Sequence, residues 1–124
     1  MAKVVHFEIP VDDRERATAF YASVFDWDIQ HLPEMQYTMV GTVAVDENQL
    51  PTEPGAINGG LMERSTATPS PVITIDVDEI DDALKKVEAE GGSVVTPKTP
   101  IPGMGAFAYF KDSEGNTMGL FQTH

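Results

Sequence analysis

The chain has no cysteine. Disulfides, thiolate metal ligands and thiol nucleophiles are therefore excluded. It is also short of positive charge, with 8 Lys and Arg against 20 Asp and Glu and a formal net charge of -12. So acidic a surface repels phosphate backbones and anionic headgroups, and neither nucleic acid nor a membrane surface is expected as a partner. No apolar run approaches the roughly 20 residues that a membrane-spanning helix needs. Met1-Ala2-Lys3 leads into a strand pattern and not into a signal peptide, which makes the cytoplasm the default location. What is present is 124 residues with 41% hydrophobic content, enough for one domain, 1–124, with a real core.

The stretch from Val4 to Phe25 organises the rest. Val5, Phe7, Ile9 and Val11 alternate with His6, Glu8 and Pro10, the period of a half-buried strand. The pattern then turns helical: Ala17, Phe20, Tyr21 and Val24 form an i, i+3, i+4, i+7 stripe predicted to face the sheet. Asp12 reads as the N-cap and Glu15 as its capping-box partner. Asp26 stands where a left-handed C-cap residue is wanted.

That pattern returns at Val72 to Gly92. Aligned without a gap, His6 meets Val72, Asp12 meets Asp78 and Ala17 meets Ala83. Ile80, Ala83, Leu84 and Val87 form the second helical stripe, and Gly91-Gly92 ends it. Asn58-Gly-Gly-Leu-Met62 closes the first half as Thr117-Met-Gly-Leu-Phe121 closes the second. Further strands are predicted at 27–32, 37–45 (continuous or broken at Gly41), 56–62, 93–96, 106–111 and 116–122, with a turn at Asp112 to Asn116 and a Pro- and Gly-containing loop at 97–105. Ser65 to Pro71 is the linker. The expected fold class is α+β: two βαβββ modules, about 3–63 and 71–123, helices outside and an open cup between them.

In these residues the chain resembles the vicinal-oxygen-chelate superfamily of glyoxalase I, bleomycin-resistance proteins and extradiol dioxygenases. The resemblance rests on His6-Phe-Glu-Ile-Pro-Val-Asp12, Arg16-Ala17 with Phe20-Tyr21 and Phe25-Asp26-Trp27, Glu90-Gly91-Gly92, and Lys111-Asp-Ser-Glu-Gly-Asn116 running to Leu120. It implies four metal-facing positions, which fall on His6, Gly60, Val72 and Gly119. Three of these carry no ligand side chain, and one histidine does not make a divalent-metal site. Glu63 would supply a second ligand only if the register of the fourth strand slipped. No cofactor is therefore expected. The alternative is a divalent metal serving a lyase, isomerase or dioxygenase of the glyoxalase type.

The candidate catalytic pair is His6 and Glu8, two apart on one strand face and roughly 7 Å from each other. An imidazole near neutrality is a natural base, and a nearby carboxylate shifts it; a histidine merely satisfied by a neighbour fits the same pattern. Met62, Val72, Thr74, Tyr109, Gly119 and Phe121 are the candidate ligand-binding residues, with Asp76 on the same face as Thr74. Gly60 and Gly119 withhold side chains, which predicts a cavity lined by His6, Glu8, Met62, Val72, Thr74 and Phe121. Lys98 is the one cation of the 97–105 loop and is available to an anionic ligand. His31 and His124 have no ligand-like company. The expected partner is a small molecule; a homodimer, with or without exchange of modules, is left open.

Overall fold

The computed structural model describes residues 1–123. They divide into two compact units, one of residues 6–65 with 69–71, the other running from Val72 onward with 1–5 and 66–68. No helix among the described residues is long and apolar enough to cross a membrane.

The first module contains β1 (Lys3–Val11), α1 (Arg14–Phe25), β2 (Asp28–Leu32), β3 (Tyr37–Gly41) and β4 (Asn58–Glu63), with a 3-10 turn at Pro33–Met35. Its strands lie in the order β2-β3-β4-β1, with β1 parallel to β4 and the other pairs antiparallel. The second contains β5 (Val72–Asp76), α2 (Ile80–Ala89), β6 (Ser93–Ile101), β7 (Gly105–Lys111) and β8 (Thr117–Thr123). Its order is β6-β7-β8-β5, with β5 parallel to β8. The fold is thus α+β, built from two βαβββ modules. The repeat extends to register: Glu8 pairs with Gly60 as Thr74 pairs with Gly119.

The helix caps fall one residue later than expected, in both modules alike. Asp13 and not Asp12 caps α1, accepting from the Arg16 amide at 3.0 Å. Asp12 instead accepts from Arg64 Nε at 2.9 Å. Glu79 and not Asp78 caps α2, and the Ile80 amide is met by Gln122 Oε1 at 2.8 Å. Asp26 does end α1 in the left-handed region, with φ 61°. Of the two readings of 37–45 the strand broken at Gly41 holds: β3 stops there, and Asn58 Oδ1 takes the Thr42 and Val43 amides at 2.7 and 3.2 Å.

The segment 97–105 is not the expected loop. Most of it belongs to β6, which pairs with β7 through two register shifts. Pro97 and Pro100 are tolerated because β6 lies at the end of the strand order, where a missing N–H leaves no ladder bond unmade. Only the turn before Gly105 is loop, with Gly103 at φ 77°.

The two helices pack unequally. In the second module Ile80 and Leu84 are buried with Ala106, Ala108, Phe110 and Leu120, and Ala83 and Val87 pack on that cluster. This is the predicted stripe. In the first module Val40, Leu61 and Thr38 form the buried floor, but α1 contributes no fully buried residue. Its part-buried side is Ala17, Thr18, Tyr21 and Ala22, while Phe20 is 56% exposed and Val24 55%. The expected stripe is therefore rotated. Tyr21 stacks on Trp27 with ring centroids 5.1 Å apart, and the Phe7 ring is tilted toward Trp27 at 6.0 Å. Anchoring through Tyr21 turns Phe20 outward.

Candidate functional site

Strand β1 carries its residues alternately to two faces, and the parallel pairing puts His6, Glu8, Asn58 and Gly60 on one of them. Gly59 and Gly60 are each glycine for a close approach. A Cβ on Gly59 would strike Phe7, two of whose ring carbons lie 2.6 Å from its position. A Cβ on Gly60 would occupy the place of the Tyr37 hydroxyl. Tyr37 opens β3 and reaches across Gly60, so its hydroxyl lies between the two predicted site residues.

The contacts are short and directional. His6 Nε2 is 2.8 Å from the Tyr37 hydroxyl oxygen. The same hydroxyl donates to Glu8 Oε2 at 3.2 Å. A phenol has one proton to give, so with that proton committed to Glu8 the histidine must be the donor at Nε2. Its second nitrogen, Nδ1, then carries the lone pair. Burial pushes the His6 pKa below its ordinary 6.5, against the opposing pull of the Glu8 carboxylate. The ring is therefore neutral at pH 7, which agrees with an Nε2–H tautomer. The His6 and Tyr37 rings are also nearly parallel, 6.4 Å apart.

Sequence reasoning named His6 and Glu8 on one strand face and did not name Tyr37, which contacts both. The signal was present: a strand glycine without a turn to make implies something lying against it, and tyrosine is the aromatic with a polar tip. The expectation that Gly60 leaves empty volume is corrected, because Tyr37 fills that space.

The other predicted residues are placed as follows. Met62 lines a cavity of about 290 Å³ in the first module with Val11, His31, Thr38 and Glu63; His31 Nδ1 is 3.0 Å from Thr38 Oγ1. In the second module Val72 and Thr74 are buried, and the Cβ position of Gly119 is 2.8 Å from Thr74 Oγ1 and 3.3 Å from Val72 Cγ1. Gly119 therefore faces side chains and not open space. Tyr109 pairs with Gly119 and Phe121 with Phe107 across the β7–β8 ladder, and Asp76 stands beside Phe121. Lys98 is paired with Glu79 at 2.9 Å and borders a cavity of about 330 Å³ with Pro100, Ala106 and Gln122. His124 lies outside the described residues.

Of the four positions that the resemblance marks as metal-facing, His6, Gly60, Val72 and Gly119, one carries a ligand side chain. Glu63 pairs with Val11, which puts it on the face opposite to His6, so the fourth strand does not supply a second ligand. The Gly60 position is taken by a phenol, and Gly119 abuts Thr74. Among the described residues no three His, Asp or Glu side chains converge.

Fold and site together define a glyoxalase-like scaffold. Solved structures show the same fold at low sequence identity: methylmalonyl-CoA epimerase from Mycobacterium tuberculosis (TM-score 0.64, 15% identity, 98% of this chain and 87% of that one), and a variant of the Streptomyces coelicolor epimerase in complex with 2-nitronate-propionyl-CoA (TM-score 0.67, 15% identity, 98% and 96%). The family profile described as bleomycin resistance protein-like N-terminal matches residues 3–42. A glyoxylase-like domain-containing protein of Didymella fabae is 30% identical over 118 residues, covering 91% of this chain and 88% of its own. The chain belongs to the vicinal-oxygen-chelate superfamily, among the glyoxalase and bleomycin-resistance-like proteins.

Proposed function

We propose that this protein binds a small organic molecule at the His6–Tyr37–Glu8 cluster and that it does so without a metal ion. The observation that carries the reading is the Tyr37 hydroxyl, held between His6 and Glu8 in the space Gly60 leaves. Of the four positions that hold metal in metal-dependent relatives, this chain keeps only His6, and His6 is engaged by a phenol. A ligand with a hydrogen-bond donor suits the cluster, because neutral His6 offers Nδ1 and Glu8 offers carboxylate oxygen. The net charge of -12 disfavours a strongly anionic ligand. The acyl-CoA ligand named for the epimerase belongs to that protein.

A second reading is favoured by the lowered pKa of His6. A neutral imidazole is the form a general base needs, and a proton taken on Nδ1 would leave an imidazolium facing the Glu8 charge. In that reading the protein is a metal-free acid–base enzyme, with His6 as base and Glu8 as its electrostatic partner.

Native mass spectrometry of the purified protein, with elemental analysis, tests the binding proposal. The expected result is no nickel, zinc, manganese or iron in stoichiometric amount, and a bound organic mass that is lost in His6→Ala. One metal per chain, lost in His6→Ala, would overturn it. Turnover that survives a chelator and disappears in His6→Ala would select the enzymatic reading.

A further inference from the structure

The two modules differ where their helices begin, on the side of the sheet away from His6. Arg14 opens α1 and Ile80 opens α2, at equivalent places in the repeat. Glu63 and Gln122 are equivalent too, each three residues beyond the glycine that pairs with Glu8 or Thr74. In the second module Ile80 is fully buried, and Gln122 takes its amide at 2.8 Å. In the first module the residue in that place is the exposed Arg14. Where Ile80 fills its module, the other keeps the cavity of about 290 Å³ that Met62 borders, with Arg14 and Glu63 on its rim.

The floor of this cavity is buried, Leu61 at 1% and Thr38 at 2% exposure, with Val11 half-buried beside them. Its rim carries charge of both signs. Among the described residues neither the Arg14 guanidinium nor the Glu63 carboxylate takes part in an ion pair or a side-chain hydrogen bond. Asp12, also on the rim, is already matched by Arg64 at 2.9 Å. His31 adds a donor. Its Nδ1 lies 3.0 Å from Thr38 Oγ1. The buried Thr38 hydroxyl has no other partner among the described residues, so its proton goes to Nδ1 and His31 keeps its own on Nε2. The cavity of the second module offers no such set: Lys98 is the one charged residue lining it, and Glu79 already pairs with it at 2.9 Å.

We infer that the cavity under α1 is a second binding site, separate from the His6 cluster, for a small zwitterion: a carboxylate and an ammonium group joined by a short aliphatic chain. Arg14 and the His31 Nε2–H meet the carboxylate, Glu63 meets the ammonium, and the chain lies on Leu61 and Val11. Hydrogen bonds between charged groups are the strong ones. His31 on β2 and Glu63 on β4 stand two strands apart, roughly 10 Å at the usual strand spacing, so the two ligand charges are separated and not carried on one carbon. A ligand with no net charge also escapes the repulsion that an anion meets from a protein of net charge -12.

Amide NMR of the full chain, titrated with ε-aminocaproate, tests this. Shifts at Arg14, His31 and Glu63 should saturate while those of His6 and Glu8 stay in place. Caproate and hexylamine, which each lack one of the charges, should bind roughly tenfold more weakly, as loss of a charge-assisted bond does. Arg14→Gln and Glu63→Gln, both at exposed positions, should weaken ε-aminocaproate to the same degree. Arg14→Ile copies Ile80 and should abolish binding. No saturable shift, shifts centred on His6 and Glu8, or equal binding of the three probes would each overturn the inference. So would wild-type affinity in Glu63→Gln or Arg14→Ile.

Discussion

His6 shows how one residue's surroundings set its chemistry. Burial outweighs the Glu8 charge, so its pKa in the folded protein lies below 6.5. The sign of the stability effect follows. As pH falls through 6.5 the unfolded chain takes up the proton first, so His6 stays uncharged in the fold and stability declines. The contribution is intact above 6.5 and is lost between 6.5 and the lowered value. Imidazole NMR should place the His6 titration midpoint below 6.5, and denaturation in His6→Gln should lose that part of the pH dependence. Tyr37→Phe leaves the His6 N–H without its acceptor and should cost about 1–3 kcal/mol in urea unfolding. Gly60→Ala should cost a similar amount, about 1–3 kcal/mol, because its methyl displaces the Tyr37 hydroxyl. His6 and Glu8 were legible from a period of two. Tyr37 was not, since it lies 31 residues from His6 and only the β1–β4–β3 pairing brings it there.

At the scale of the element, the two helices separate what a pattern can and cannot give. In α2 the apolar residues occupy one side only, so the stripe Ile80, Ala83, Leu84 and Val87 names the packed face. In α1 apolar residues stand on both sides, and the spacing that selected Phe20 and Val24 competes with Ala17, Tyr21 and Ala22. The stacking of Tyr21 on Trp27 decides between them. Leu84→Ala should therefore cost about 2–5 kcal/mol, whereas Phe20→Ala, measured in dilute protein, should cost under about 1 kcal/mol. Equal costs would mean that α1 is packed as α2 is. The extension of β6 through two prolines was hidden for a different reason: proline speaks against a strand unless the strand is an edge, and edge position is a property of the sheet.

For the whole molecule, the internal repeat made the fold legible. Two βαβββ modules with matching strand orders and matching registers, Glu8 on Gly60 and Thr74 on Gly119, follow from a sequence alignment of the chain with itself. The same alignment brings a histidine onto a valine and pairs glycine with glycine. The chain keeps the scaffold of its superfamily and brings an imidazole, a phenol and a carboxylate into hydrogen-bond contact in its first module. The most direct test follows the His6 imidazole resonances while nickel, zinc, manganese or iron(II) is added to one equivalent. The account predicts resonances that stay in place, because Nε2 is donating to Tyr37 and among the described residues no three His, Asp or Glu side chains converge. Broadening or displacement of the His6 signals that saturates at one metal per chain would contradict it.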